Sequence, residues 1–456
     1  MSTTAPTFRN GVLSIFQSAI DDFARARQGD GAARPGLESA LVRAGAAVAA
    51  TRVPAPKSST LALDESVSDK VRTCAEHGLR FLEAVARGDQ AAADQAQQDL
   101  KFSECDAQWI STLDAYVKYF GATGGLRPIP YVRAGTIGNQ VIDMKPGARV
   151  ALIGDWGTGS ASAVKLLQAV KQQNPDIVIH LGDIYYSGTD TECDTYFLQI
   201  VNDVLDRGRT RIPVFTLAGN HDMYSGGSGY YPLLAKLNDP PQRQAASFFC
   251  LRASDASWQF LGMDTGLHDH DPFHVSDVLT FLEKDEEDWH DARIGEFSGG
   301  TILLSHHQLF SAFSQIGPKD AKGSSSPCNP LLLASFNRFR ATAAGRLAAW
   351  FWGHEHNLCI YEPYANLDFG RCIGHGAIPV FTSDNPYKAI PNMDDPPKLV
   401  AGTELKFAGD TYAHGYAMIA LDGAKAAIHY FQETDYTQPM WSETIPAPVA
   451  APAPGA

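Results

Sequence analysis

Two apolar runs that each end in Gly-Asp constrain this chain more than any other feature of its sequence. Residues 150–155 read VALIGD and residues 177–183 read IVIHLGD. Short β-branched runs on either side of a helical stretch are typical of buried parallel strands joined by a crossover helix. Asp155 and Asp183 then lie at the carboxyl ends of neighbouring strands, where open α/β sheets bind ligands. Two acids at this edge indicate a cation site.

The alternation of strand and helix continues beyond these two runs. The pattern predicts strands at 150–153, 176–181 and 213–217 and helices at 161–172, 193–205 and about 275–290. Later apolar runs predict further strands, and the last of them have no helix between them, so part of the domain is expected to be antiparallel. These runs are SFFCLR, WQFLGMD, TILLSHH, AAWFWGHEH, AIPVFT, YAMIALD and AAIHYF. The fold class is therefore α/β, a sheet covered by helices.

The first part of the chain has a different character, because its apolar residues follow a helical spacing. One stripe runs from Val12 to Phe23 and a second from Trp109 to Phe120. Packing in a helical core is the preferred interpretation, and binding of a partner is the alternative. The predicted organisation is an all-α domain at 1–125, a linker at 126–145, the α/β domain at 146–435 and a disordered Pro/Ala-rich tail at 436–456.

Composition disfavours several classes of partner. The formal net charge is -14 at pH 7, whereas a nucleic-acid backbone or an anionic membrane calls for a basic face. No uninterrupted apolar run reaches the roughly 18 residues of a membrane span. The N-terminal stretch carries Asp21 and Asp22 within its apolar pattern and offers no clean signal-peptide core, so we expect a cytoplasmic protein. Seven cysteines without CxxC spacing fit free thiols in a reducing compartment.

Three further junctions between strand and loop carry groups that bind metals. Residues 219–222 read GNHD, residues 305–307 read SHH and residues 353–356 read GHEH. Each follows an apolar run, so all can project to one end of the sheet. Tyr186 adds a phenol shortly after Asp183. Oxygen ligands mixed with imidazoles suit iron, zinc or manganese, and the donors are too many for one ion, so two metals are predicted.

The blocks GDWG, GDIYY, GNHD, LSHH and GHEH together resemble the five-block signature of the calcineurin-like metallophosphoesterases. They are most similar to the purple acid phosphatase branch. Gly157 stands where many relatives have a histidine, and Tyr186 matches the tyrosine of a GDxxY block. The resemblance covers about 148–430 and implies a four-layer αββα sandwich, to which the N-terminal helical domain is an addition.

The resemblance also implies a set of ligands for two metals. The first, expected to be Fe(III), shares Asp183 with the second, expected to be Fe(II), Zn or Mn. His306 is preferred over His307 as a ligand because it lies three residues after Leu303, and the reverse assignment is the alternative. The first metal takes Asp155, Asp183, Tyr186 and His356, and the second takes Asp183, Asn220, His306 and His354.

Other residues are expected to act beside the metals. His221 is placed to bind the phosphoryl group or to protonate the leaving oxygen, and Asp222 to orient its imidazole. His307 is expected in the pocket or behind the ligands. His375 and His414 are further candidates for the pocket, although a lone histidine is more often structural.

The function implied by the resemblance is a dinuclear phosphohydrolase with hydroxide as the nucleophile, most closely a purple acid phosphatase-like phosphomonoesterase. A phosphodiesterase or nucleotide pyrophosphohydrolase on the same metal core is the alternative. A non-catalytic scaffold is disfavoured because no ligand type is missing. The expected partner is a small phosphorylated substrate, without nucleic acid or membrane, and self-association through the N-terminal helices stays open.

Overall fold

The computed structural model describes residues 110–121, 127–272, 278–382, 384–423 and 425–446, and before them residues 80, 84, 87–92, 95–96 and 101. The chain divides into two compact units, Met1–Ile110 and Ser111–Ala456. The predicted stripe from Val12 to Phe23 lies outside the described residues, and most of the second stripe forms helix α1, Ile110–Phe120. The boundaries of the N-terminal domain and of the linker stay a prediction.

Two sheets form the framework of the second unit. Within the described residues the strands are β1 (Ile142–Met144), β2 (Arg149–Ile153), β3 (Ile177–His180), β4 (Val214–Thr216), β5 (Phe249–Ala253), β6 (Trp258–Gly262), β7 (Gly300–Leu304), β8 (Leu347–Trp352), β9 (Leu358–Ile360), β10 (Gly370–Ile373), β11 (Phe407–Ala408), β12 (Thr411–Tyr412), β13 (Gly415–Asp422), β14 (Lys425–Gln432) and β15 (Trp441–Pro446).

The two large sheets mix parallel and antiparallel pairs. The six-stranded sheet has the order β15-β14-β13-β2-β3-β4. Its strands β2, β3 and β4 are parallel, and β13 to β15 join them as an antiparallel meander. The seven-stranded sheet has the order β1-β5-β6-β7-β8-β10-β9, with β6, β7, β8 and β10 parallel. The prediction of a partly antiparallel domain is confirmed.

Helices cover the outer faces of both sheets. The helical run α4 begins and ends as α-helix, at Asp190–Glu192 and Gln199–Val204, around a π-helical turn at Cys193–Leu198. The other described helices are α2 (Ala134–Ile137), α3 (Ala161–Gln172), α5 (Arg207–Thr210), α6 (Asn220–Tyr224), α7 (Tyr230–Leu237), α8 (Lys284–Gly295) and α9 (Pro330–Ala343).

Three cores separate the four layers. On β2, Val150 and Leu152 point into the core between the two sheets, whereas Ala151 and Ile153 pack under α3 and α4. This division follows from the period of two along a strand buried on both faces. On the seven-stranded sheet, Trp350 packs under α8 and α9. The αββα architecture is therefore confirmed.

Some local predictions differ from the structure. The run AIPVFT forms no strand, and β10 lies a few residues earlier instead. Pro379 explains the difference, because proline lacks the amide hydrogen that a central strand must donate. The charged helix begins at Lys284, later than expected. Strand β15 lies within the predicted tail, because Trp441–Pro446 pairs with β14.

The described residues also bear on the predictions about membrane spans and cysteines. No helix among the described residues is long and apolar enough to cross a membrane. The cysteines that the structure describes are free thiols: Cys193, Cys250, Cys328, Cys359 and Cys372.

Candidate metal centre

The predicted ligands meet at the carboxyl ends of strands from both sheets. Asp155, Asp183 and Asn220 follow β2, β3 and β4 of the six-stranded sheet. His306 follows β7 of the seven-stranded sheet, and the GHEH loop follows β8. Parallel strands end at the same edge, so each sheet delivers three of these donors to one place between the layers.

The first group of donors surrounds the hydroxyl of Tyr185. Asp155, Asp183 and His356 each offer an atom within 4.8 Å of the others, a spacing at which they could hold one metal ion. The Tyr185 hydroxyl lies 3.0 Å from Asp155 Oδ1, 3.1 Å from Asp183 Oδ2 and 3.2 Å from His356 Nε2. Two carboxylates, a phenol and an imidazole therefore converge.

The second group shares Asp183 with the first. Asn220 Oδ1 lies 3.1 Å from His306 Nε2 and 3.1 Å from His354 Nδ1, and these two nitrogens are 3.2 Å apart. Asp183 Oδ2 is 3.4 Å from His306 Nε2. This single oxygen thus borders both groups, which is the position that a bridging carboxylate requires.

Main-chain contacts fix the orientation of two imidazoles. His306 Nδ1 lies 2.9 Å from the carbonyl oxygen of Leu181, and a carbonyl can only accept, so Nδ1 carries the hydrogen. Nε2, the other ring nitrogen, faces Asn220 and is the atom that could bind a cation. Burial acts to lower the pKa of His306, but Asp183 outweighs it and raises that pKa to about 9, so metal binding displaces a proton from Nε2. By the same argument His221 donates from Nδ1 to the carbonyl oxygen of Tyr186, 2.8 Å away, and its Nε2 lies 3.9 Å from Asp183 Oδ2.

Three of the predicted ligand residues have positive φ angles, which cost local backbone energy. The φ angles of Asp155, Asp183 and His354 are 53°, 75° and 66°. Side chains other than glycine disfavour this left-handed region, and such residues cluster at functional sites. The amide of His354 also donates to Asp155 Oδ2 at 2.9 Å, which ties the GHEH loop to the first acid. These backbone angles cost local energy, and they orient the side chains of the three residues toward the site.

The geometry favours Tyr185 for the phenol role that the sequence assigned to Tyr186. Tyr186 contacts the site through its main chain: its carbonyl oxygen accepts from His221, and its amide donates to Glu192. The left-handed angle of Asp183 reorients the chain after β3, so the direction of the next side chains does not follow strand alternation. The phenol that contacts both acids in the structure is that of Tyr185, and the ligand role of Tyr186 stays a prediction.

Asp222 contacts main-chain amides rather than the His221 ring. Its Oδ2 accepts hydrogen bonds from the amides of Gly219 and Asp183 at 2.8 and 2.9 Å, and its Oδ1 accepts from the amide of Ile184 at 3.2 Å. The orienting role predicted for Asp222 is therefore corrected: the Tyr186 carbonyl orients the imidazole, and Asp222 joins the loops after β3 and β4.

His307 lies beside the second group with both ring nitrogens engaged. Its amide donates to Thr265 Oγ1 at 3.0 Å, so the threonine proton is free to donate to His307 Nδ1, also at 3.0 Å. Nε2 then carries a hydrogen and donates to Asp269 Oδ2 at 3.1 Å. By spacing alone His306, His307 and His354 could also hold a metal. The hydrogen bonds favour His306 as the ligand, because its Nε2 faces Asn220 and His354 whereas the Nε2 of His307 faces Asp269.

Burial and neighbouring charges set the protonation of the donors. Burial raises the pKa of Asp155 well above its ordinary value, against the opposing effect of His306. Burial acts on Asp183 in the same sense, but His306 and His221 outweigh it and hold its pKa well below the usual range. Burial lowers the pKa of His356 to about 4. An ionised bridging carboxylate and a neutral imidazole are the forms that bind cations.

Gly157 leaves no room for a side chain at the position where many relatives carry a histidine. A Cβ there would lie 2.8 Å from the Asp183 carbonyl oxygen and 2.8 Å from Ile184 Cα. The amide of Gly157 donates to that same carbonyl oxygen at 3.3 Å. The close approach of the two loops therefore excludes a ligand at this position.

His375 and His414 lie in a buried region next to the first loop. The amide of Gly415 donates to the His375 carbonyl oxygen, and the amide of Ala377 donates to the Asp155 carbonyl oxygen. Burial lowers the pKa of His375 to about 3, and that of His414 also falls. Both rings are therefore neutral near pH 7, and the pocket role stays a prediction.

The sequence analysis assigned no role at the metal donors to Tyr185, Thr265 or Asp269. Thr265 directly follows the run WQFLGMD, whose terminal Asp264 ends an apolar run as Asp155 and Asp183 do, so the same rule could have found it. Asp269 lies in the irregular loop beyond, where no periodicity announces a contact.

Part of the chain matches the sequence model of a known protein family. Residues 148–358 match the model of the calcineurin-like phosphoesterases. No curated protein matches the chain.

Three solved structures share some likeness with the chain, and the TM-score of each is below 0.5. "GAP50 the anchor in the inner membrane complex of Plasmodium" is 14% identical over 66% of this chain and 89% of its own, with a TM-score of 0.43. PhoD is 13% identical over 70% and 69%, with a TM-score of 0.42. A putative 5'-nucleotidase from Staphylococcus aureus is 12% identical over 67% and 55%, with a TM-score of 0.32.

Proposed function

We propose that this chain is a dinuclear phosphomonoesterase of the purple acid phosphatase type. Residues 148–358 form a calcineurin-like phosphoesterase domain, and the chain is therefore a metal-dependent phosphoester hydrolase. The observation that carries the proposal is the position of Asp183 Oδ2, which borders both groups of donors. One carboxylate placed in this way fits a pair of metals rather than two separate ions.

The residues present fit such a pair. The first group offers carboxylate, phenol and imidazole donors, and the second offers an amide oxygen and imidazoles. When bound, two metal ions activate a water molecule and neutralise charge on the phosphoryl oxygens. The donor chemistry therefore agrees with the proposed reaction.

The proposed role of His221 is to give a proton to the leaving oxygen. Its Nδ1 is held by the Tyr186 carbonyl, and its ring lies between those of Tyr185 and Tyr224, at centroid distances of 4.5 and 4.8 Å. Nε2 is thereby fixed on the side of Asp183. A ring held at Nδ1, with Nε2 turned toward the metal centre, is placed to pass a proton to the leaving oxygen.

The proposed first metal is Fe(III), and the second is Fe(II), Zn or Mn. Tyr185 supports this assignment because a phenolate is a hard, anionic donor that stabilises ferric iron. Burial and the adjacent Asp155 raise the pKa of the free phenol, so ionisation needs a strong cation beside it. The proposed substrate is a small phosphorylated molecule. The proposed location is a reducing compartment, which the buried free thiols support.

The test combines metal analysis with two chromogenic substrates. Purified full-length protein is expected to contain about two metal ions per chain and to hydrolyse p-nitrophenyl phosphate with higher kcat/KM than bis(p-nitrophenyl) phosphate. Asp183→Asn is expected to lower kcat/KM by at least about a thousandfold, since both metals lose a shared ligand. Preference for the diester would replace the monoesterase assignment by a phosphodiesterase, and absence of stoichiometric metal would end the proposal.

A further inference from the structure

Glu192 lies outside the metal centre, and its carboxylate binds the loop that follows β3. Glu192 Oε1 accepts a hydrogen bond from the amide of Tyr186 at 2.6 Å, and Oε2 accepts one from the amide of Ser187 at 3.2 Å. Oε2 also accepts from the amide and the hydroxyl of Thr189, at 2.9 and 2.8 Å. One carboxylate therefore receives four hydrogen bonds, and three of them come from the main chain of this loop.

The start of helix α4 accounts for only part of this arrangement. Thr189 precedes the helix and Glu192 is its third residue, so the two residues form a capping box. A capping box uses the bond between the Thr189 amide and the Glu192 side chain. The bonds from Tyr186 and Ser187 reach further back along the chain. They are therefore additional to what the helix requires.

The peptide group between Tyr186 and Ser187 connects Glu192 to His221. Its amide belongs to Ser187 and faces Glu192, and its carbonyl oxygen belongs to Tyr186 and accepts from His221 Nδ1 at 2.8 Å. This peptide is trans, so its amide and its carbonyl point in opposite directions. Glu192 and His221 thus lie at the two ends of one rigid group, and a carboxylate that fixes the amide also fixes the carbonyl.

Charge strengthens the same chain of contacts. A carboxylate at the hydrogen end of a peptide group polarises its carbonyl oxygen, and hydrogen bonds in such a chain reinforce one another. Tyr186 and Ser187 are 3% and 1% exposed, so water has little access to the peptide between them. The hydrogen bond that holds the His221 ring therefore depends on Glu192 through both geometry and polarisation.

The main chain of His221 is held separately from its ring. The His221 amide donates to Asp183 Oδ1 at 3.0 Å, whereas the ring is held at Nδ1 by the Tyr186 carbonyl. The hydroxyl of Thr112 on helix α1 also reaches this carbonyl oxygen, but at 3.5 Å, which is long for a hydrogen bond. Loss of the Glu192 carboxylate is therefore expected to release the ring while the metal donors keep their places.

We propose that Glu192 is a positioning residue, which holds the His221 ring in its working orientation through the peptide between Tyr186 and Ser187. This role rests on the proposed function in one respect, because His221 gives a proton to a leaving oxygen only if the centre hydrolyses phosphoesters. The orientation of the ring itself is a property of the chain and does not depend on that reaction.

The kinetic test compares a poor leaving group with a good one on the full-length, metal-loaded protein. A misplaced proton donor slows departure of a basic oxygen more than departure of p-nitrophenolate, which leaves without a proton. Glu192→Ala is expected to lower kcat at least about tenfold for phenyl phosphate and at most about twofold for p-nitrophenyl phosphate, with its metals retained. Glu192→Gln keeps one acceptor oxygen and is expected to lie between wild type and Glu192→Ala. Equal losses with both substrates would overturn the proposal.

A double-mutant cycle tests whether Glu192 acts through His221. His221→Asn removes the proton donor, so adding Glu192→Ala to it is expected to cause no further loss of kcat with phenyl phosphate. Residues that act independently would give losses that multiply. Multiplied losses would therefore show that Glu192 acts by another route, and the positioning role would be wrong.

A measurement that needs no catalysis separates this role from the proposed function. Nitrogen NMR of labelled histidines in metal-free full-length protein is expected to show His221 with its hydrogen on Nδ1, identified by the signal that His221→Asn lacks. Glu192→Ala is expected to replace that signal by a mixture of ring forms. An unchanged signal overturns the positioning role, whereas a changed signal in a protein without hydrolase activity supports it and counts against the proposed function alone.

The matched control weakens the same helix start without touching the peptide group. Thr189→Ala removes the hydroxyl of the capping box and leaves the bonds from Tyr186 and Ser187 to Glu192 in place. It is expected to match wild type in the ratio of the two kcat values and in the His221 signal. An effect as large as that of Glu192→Ala would assign both changes to the end of the helix and contradict the proposal.

Discussion

Asp183 carries more of the site than any other single residue. Its Oδ2 borders both groups of donors, its Oδ1 accepts from the amide of His221 at 3.0 Å, and its own amide donates to Asp222. Because every polar group of its side chain is engaged, its orientation is set before any metal binds. Under the proposed dinuclear assignment, a bridging carboxylate held in this way costs little reorganisation when the ions bind.

The two adjacent tyrosines make a matched test of the phenol assignment. We expect Tyr185→Phe to lower affinity for the first metal by at least about tenfold and to abolish the phenolate-to-iron absorption of the oxidised protein, because the hydroxyl facing Asp155 and His356 is lost. Tyr186→Phe is expected to retain both, since its contact with His221 is made by the main chain. Visible spectra with metal analysis decide, and the reverse outcome would restore the original assignment to Tyr186.

A matched pair of variants also distinguishes the metal role of His306 from that of His307. His306→Asn is expected to reduce the bound metal to about one ion per chain, because the Nε2 beside Asn220 disappears. His307→Asn is expected to retain both ions and to change kinetics only, since the His307 ring is engaged by Thr265 and Asp269. Metal quantification on both variants checks this, and loss of one ion in the His307 variant would assign that residue to the second metal.

At the scale of elements, the two sheets are joined by a buried ion pair as well as by their core. Arg371 on β10 donates to both carboxylate oxygens of Glu443 on β15, each at 2.7 Å, and Tyr430 on β14 donates to the same acid. The side chains of Arg371 and Glu443 are 3% and 14% exposed. The pair therefore fixes the register of one sheet over the other by directed contacts.

Breaking this pair is expected to be costly because a buried guanidinium would remain. We expect Glu443→Gln to lower the free energy of unfolding by about 3 kcal/mol, measured by urea denaturation. Asp422→Asn on the same sheet is the control. It breaks an exposed contact with Lys425 at 3.9 Å and is expected to cost at most about 1 kcal/mol. Equal effects in the two variants would contradict a role for burial.

The ends of the strands could be read from the sequence, whereas the paths of the loops could not. Apolar runs that stop at Gly-Asp or Gly-Asn correctly located Asp155, Asp183 and Asn220, because burial and period fix where a strand ends. Beyond those points, left-handed angles turn the chain by amounts that no pattern encodes. Tyr185 follows the left-handed Asp183, and Asp269 lies in an irregular loop, so only the folded structure brings them to the site.

At the scale of the whole molecule, buried acids make stability depend on pH. Glu286 accepts hydrogen bonds from the Asp264 amide and the Tyr131 hydroxyl, both at 2.8 Å, and is fully buried. Burial raises the pKa of Glu286 to about 8 and that of Asp264 to about 7. The folded protein thus retains protons that the unfolded chain releases at lower pH.

The free energy of unfolding is expected to fall as pH rises. An acid whose folded pKa exceeds its unfolded value of 4.5 contributes full stability below pH 4.5, and that contribution is lost as pH rises toward 8. We expect Glu286→Gln to reduce the fall in unfolding free energy between pH 5 and about 8, because the amide does not titrate. Urea titrations of both proteins in the same metal state check this. Parallel curves would show that Glu286 does not cause the dependence.

The division of the ligands between the two sheets also orders events during synthesis. Asp155, Asp183 and Asn220 leave the ribosome first, and His306 follows roughly 4–17 s later at translation rates of about 5–20 residues per second. During that interval the nascent chain presents Asp155, Asp183 and Asn220 without the three predicted histidine ligands, and His356 follows His306 by a further 50 residues. Neither group of donors can therefore offer all its predicted ligands until the chain has been synthesised beyond His356.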